Sequence, residues 1–147
     1  MSWDLFAQNF PPVASAEEIP DDFEPQALGP RSEVIRKIQA AIPDADFSDP
    51  GWGLLERDGW SIEFNLGDED QCESFALHVR GGGPEAMEAV DATLSAVGVR
   101  AIDAQTGEFF TLEAARESFR RWQDYRDRAF TEPPRPVRGF FARLFGG

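Results

Sequence analysis

WGLLERDGWSIEFNLGDEDQCESFALHVR, residues 52–80, is the stretch that decides the fold. Within it Ser61-Ile-Glu-Phe-Asn-Leu66 alternates polar and apolar side chains, and so does Glu73-Ser-Phe-Ala-Leu-His-Val-Arg80. A period of two belongs to a strand with one face buried and the other open. Asp58-Gly59 suits a two-residue type I′ turn, so Trp52–Arg57 and Trp60–Leu66 are the expected arms of a hairpin. Gly67–Gln71 then makes a second turn into a strand over about Glu73–Arg80, which completes a three-stranded meander.

Pairing Leu66 with Glu73 sets Phe64 opposite Phe75, Ile62 opposite Leu77 and Trp60 opposite Val79, an apolar face that helices should cover. The other face then carries Ser61, Glu63, Asn65, Ser74, Ala76, His78 and Arg80. Through the Asp58-Gly59 turn, Leu54 falls opposite Glu63 and Trp52 opposite Asn65. An indole and a leucine therefore stand beside a carboxylate, an imidazole and a guanidinium. Such a face is either ordinary solvated sheet, its apolar pair covered by chain from elsewhere, or a binding surface. Trp and Arg are over-represented at interface hot spots. Trp52, Leu54, Glu63, Asn65, His78 and Arg80 are the candidate binding residues, for a second copy, another protein or a small molecule.

Outward from the meander, Ser2 to Phe10 reads as a short edge strand with Trp3, Leu5 and Ala7 on one side. Residues 11–30 hold five prolines and five acids, Glu17, Glu18, Asp21, Asp22 and Glu24. Proline fixes φ and removes a backbone donor, so this segment is an extended strap, pinned by Ile19, Phe23 and Leu28. A first helix is expected over about Ser32–Ile42, with Val34, Ile35, Ile38, Ala41 and Ile42 as its apolar stripe and Pro43 as its stop. Gly81-Gly-Gly-Pro84 opens a second helix, in which Met87, Val90, Leu94 and Val97 recur at helical spacing before Gly98 ends it. Val99–Asp103 is a further strand. Thr111 caps a third helix whose inner side carries Leu112, Ala115, Phe119, Trp122 and Arg126.

The expected architecture is α+β: a mainly antiparallel sheet of four to five strands with about three helices packed on one face. A split βαβ arrangement fits the element order. Residues 1–130 form one domain, large enough for a real core at 41% hydrophobic content.

A net charge of −13 with a single lysine, Lys37, argues against a phosphate-binding surface and hence against nucleic acid. The same acidity would steer a basic protein partner. With Cys72 alone, no internal disulfide is possible. Met1-Ser-Trp-Asp-Leu-Phe6 lacks the basic and apolar regions of a signal peptide, and no stretch approaches a membrane span, so the expected location is cytoplasmic.

Catalytic and metal readings are weak. His78 is the only histidine. A Glu63–His78 pair with Ser61 nearby would support proton transfer, but no oxyanion site accompanies it, and no catalytic residue is assigned. Asp44, Asp46 and Ser48 match the first ligands of an EF-hand loop, yet Asp49 stands where the turn needs glycine and Leu55 where it needs glutamate. Gly81–Gly83 before a helix lacks the lysine of a phosphate cradle, and Glu85 and Glu88 oppose an anion. Cys72 sits among acids that disfavour its thiolate. No cofactor or metal is expected.

Residues 131–147 differ in composition. Three arginines against Glu132 give +2 there and leave −15 for the rest. On a helix, Phe140, Phe141, Leu144 and Phe145 would share one side, suited to docking on the body, on a partner or weakly on a membrane surface.

Four strings together, Ser2-Trp-Asp-Leu-Phe6, Ala45-Asp-Phe-Ser-Asp-Pro50 with Trp52-Gly53, Glu73–Arg80 and Arg121-Trp-Gln-Asp-Tyr-Arg-Asp-Arg128, resemble a family of small bacterial proteins of unknown function. The similarity covers about Ser2 to Arg128 and implies no activity or site residue. In size, acidity and sheet-based fold the chain is similar in general character to bacterial toxin-immunity proteins, without a shared motif. The expectation from sequence is a non-enzymatic protein-binding module, an immunity-type inhibitor of a basic partner. The alternatives are a small-molecule-binding protein or enzyme using Glu63 and His78, and a peripheral membrane protein attached through residues 131–147.

Overall fold

The computed structural model of the protein describes residues 2–131. Its main sheet holds β1 (Ser2–Gln8), β3 (Trp52–Arg57), β4 (Trp60–Asn65), β6 (Ser74–Gly81) and β7 (Arg100–Asp103). Their order is β3-β4-β6-β1-β7, with every neighbouring pair antiparallel. A two-residue ribbon pairs β2 (Gly29–Pro30) with β5 (Gln71–Cys72). The helices are α1 (Arg31–Ala41), α2 (Pro84–Val97) and α3 (Leu112–Thr131). The fold is α+β.

β1 is an interior strand, where the sequence suggested an edge. It pairs with β6 on one side and β7 on the other. The reason is burial: Leu5 and Ala7 are fully enclosed, which an edge strand on a small sheet does not achieve. Because β6 and β7 both run antiparallel to β1, they are parallel to each other and joined through α2. This is a split βαβ unit with β1 filling the gap.

The hairpin register agrees with the sequence in β3–β4, where Trp52 faces Asn65 and Leu54 faces Glu63. Between β4 and β6 it is displaced by two residues. Phe64 faces Leu77, Ile62 faces Val79, Trp60 faces Gly81 and Glu63 faces His78. Gln71 and Cys72 pair with the strap at Gly29 and Pro30, and the connection from β4 to β6 is two residues longer than the expected turn. A two-residue displacement preserves the faces, since side chains alternate with period two.

Under the sheet, Leu5, Leu55, Ile62, Phe64, Leu77 and Val79 are fully buried against the helices. α2 lies centrally on this layer through Ala86, Met87, Ala89, Val90 and Leu94, flanked by α1 and α3. Gly98 ends α2 in the left-handed conformation (φ 80°), as its position implied. α1 buries Val34 and Ile38, with Ile42 just beyond it, whereas Ala41 lies at the rim of that stripe and is exposed. Thr111 caps α3 by accepting the Ala114 N–H at 3.2 Å.

The strap is tied down at both ends. Arg100 donates to the Pro11 and Val13 carbonyls at 3.3 and 2.6 Å, and the Leu28 N–H donates to the Cys72 carbonyl at 2.8 Å. Ile19, Phe23 and Leu28 are half-buried along it.

Candidate functional site: the open sheet face

Alternation along five strands builds the uncovered face in rows. One row runs Trp52, Asn65, Ala76, Phe6, Ile102 across β3, β4, β6, β1 and β7, and a bridge from Ile102 extends it to Phe109. The next row runs Leu54, Glu63, His78, Asp4. Beyond it lie Glu56, Ser61 and Arg80. All six candidate residues from the sequence, Trp52, Leu54, Glu63, Asn65, His78 and Arg80, therefore share one face.

The middle of this face is a small polar network. His78 Nδ1 lies 2.8 Å from Asp4 Oδ1, and Trp52 stacks on the imidazole with ring centroids 5.7 Å apart and planes inclined by 19°. Arg80 approaches Glu63 at 4.0 Å. His78 thus takes Asp4 as its hydrogen-bond partner, not the Glu63 suggested by sequence. Ser61 belongs to the row of Arg80. A Ser61–His78–Glu63 relay is absent from this geometry.

Apolar ends flank the network. Phe6 is 52% exposed and Trp52 42%, so the strap leaves both open to solvent. Asp4, Phe6 and Ile102 went unrecognised in the sequence. The alternation of Ser2–Ala7 does place Asp4 and Phe6 opposite Leu5 and Ala7, but only the position of β1 beside β6 brings Asp4 to His78. A shallow concavity between Leu54, Trp60, Glu63 and Arg80 marks the β3–β4 side.

Other candidate chemistry resolves into local structure. Asp44 is bound to Arg57 at 2.9 and 3.1 Å, and this guanidinium holds its carboxyl below the ordinary range. Asp46 accepts from the Ser48 hydroxyl and N–H, which lowers it likewise. Among the described residues, no group of three or more His, Cys, Asp or Glu is arranged to hold a metal ion. The Cys72 thiol is pushed up, mainly by burial, whereas the sequence attributed a disfavoured thiolate to neighbouring acids. Gly81–Gly83 lets α3 approach: a Cβ on Gly83 would stand 3.2 Å from the Phe119 ring.

No described helix is long and apolar enough to cross a membrane. Phe140, Phe141, Leu144 and Phe145 lie outside the described residues. Comparison with protein-family models, curated proteins and solved structures found no match to this chain.

Proposed function

We propose that the chain is a protein-binding module that engages its partner through the open sheet face. The observation that carries this reading is the half-exposure of Phe6 and Trp52 beside the Asp4–His78 and Glu63–Arg80 pairs, Trp52 with only one face packed on His78. The aromatics act as anchors whose burial releases water, and the ionic groups set orientation. With a chain charge of −13, a basic partner is favoured through long-range attraction, as for an immunity-type inhibitor.

A small molecule held by Glu63 and His78 is the competing reading. Capture of proteins from native lysate on immobilised wild type, Trp52→Ala and His78→Ala separates the two. A stoichiometric partner lost with Trp52→Ala supports the module. Retention of every captured protein by Trp52→Ala and Phe6→Ala would remove this face from consideration.

A further inference from the structure

A second concave surface lies on the helix side, away from the open face. It is a cavity of about 500 Å³ between α3, the Gly81–Gly83 turn and the end of β7. Trp3, Met87, Phe110, Phe119 and Trp122 supply its apolar wall, and Asp103 and Glu108 stand on its lining. Phe119 and Trp122 stack at 5.9 Å, and Trp122 remains 41% exposed at the cavity's side. A groove of this kind needs an occupant that is apolar and positively charged.

The chain itself carries such a segment. We propose that residues 138–145, Arg-Gly-Phe-Phe-Ala-Arg-Leu-Phe, are the occupant of this groove within the same molecule. Three observations favour this occupant. The first is composition: Phe140, Phe141, Leu144 and Phe145 match an aromatic wall, and Arg138 and Arg143 match Asp103 and Glu108. The second is position, because the segment follows α3, the helix that forms one side of the groove. The third is reach. Thr131 to Ala114 spans about 26 Å along the helix axis at 1.5 Å per residue. The ten residues from Thr131 to Phe141 extend to about 33 Å. Pro133 and Pro134 oppose continuation of α3, which favours a change of direction there. Tethering raises the effective concentration of the segment at the groove, so modest contacts suffice.

Disulfide trapping in the full chain tests this. Ala114 lines the groove, whereas Glu113 points away from the side of α3 that carries Ala115, Phe119 and Trp122, at nearly the same distance from Thr131. Under mild oxidation, Ala114→Cys with Phe141→Cys should close an intramolecular disulfide about tenfold faster, or more, than Glu113→Cys with Phe141→Cys. The native Cys72 is buried and does not compete. Adding Phe140→Ser and Phe145→Ser should bring the two rates together. The same two substitutions alone should move tryptophan emission to the red, as Trp122 loses its cover. Equal rates in the parent pairs would overturn the proposal, and so would a disulfide-linked dimer as the main product, which assigns the groove to a second copy. Loss of the Ala114 preference on adding phosphatidylglycerol vesicles, with the protein sedimenting alongside them, would assign the segment to a membrane surface and overturn it too.

Discussion

Trp52 stacks on His78 although their strands do not touch: β4 lies between β3 and β6, and the indole reaches across it. The imidazole is held from the other side by Asp4 at 2.8 Å. Three strands thereby fix one indole that is still 42% exposed. A large aromatic held in place before binding loses little entropy when a partner covers it.

Trp52→Ala should therefore weaken partner capture far more than it weakens the fold. Hot-spot truncations cost about 2 kcal/mol or more in binding. The stability change should stay near 1 kcal/mol, because half-exposed stacking contributes about that much. Thermal melting and binding titration on the same samples measure both. A large loss of melting temperature with unchanged affinity would make the indole structural.

The faces of the sheet were legible in the sequence because alternation with period two survives a register error. The two-residue displacement between β4 and β6 left Glu63 and His78 on the same side, and it made them direct neighbours. What the sequence did not reveal was longer-range: that β1 is interior, and that Gln71–Cys72 is taken by the strap. Both depend on which segments meet across more than forty residues, and no local pattern encodes that. Arg100 shows the same limit. It reads as an ordinary strand residue, yet it holds the strap and lies 3.6 Å above the Phe109 ring.

Arg100→Ala should release the start of the strap. It removes two hydrogen bonds to the Pro11 and Val13 carbonyls together with the contact over Phe109. Each charged hydrogen bond contributes about 1.5–3 kcal/mol when intact, and less where water competes. Limited proteolysis should cut within residues 11–28 faster in the variant, while the sheet stays protected. Unchanged cleavage would mean that the Leu28 and Gly29–Pro30 pairings hold the strap alone.

Gly53 is the one position in β3 where a side chain has no room. A Cβ there would overlap the Phe47 ring, which in turn packs on Phe64 at 5.5 Å. Gly53→Ala should cost about 1–3 kcal/mol by overpacking. In a Phe47→Ala background the added methyl meets space, so the two effects should be strongly non-additive. Urea denaturation of the four proteins in this cycle gives the coupling directly. Additive costs would show that Phe47 moves aside freely.

Cys72 gives the fold a pH dependence on the alkaline side. Burial at 1% exposure disfavours its thiolate and raises the folded pKa above the unfolded value of about 8.5. The unfolded chain therefore releases a proton at a pH where the folded chain still holds it. The resulting stability is intact below about 8.5 and declines as pH rises beyond that, toward the folded pKa. Cys72→Ala should lower stability at neutral pH by leaving a small void, but flatten the decline between about pH 8.5 and 10. Denaturant midpoints for both proteins across that range measure it. Parallel declines would show that groups other than this thiol set the alkaline limit. Reaction with a water-soluble disulfide reagent offers an independent check: labelling should be slow in the native protein and accelerate as urea opens the Gln71–Cys72 pairing with the strap.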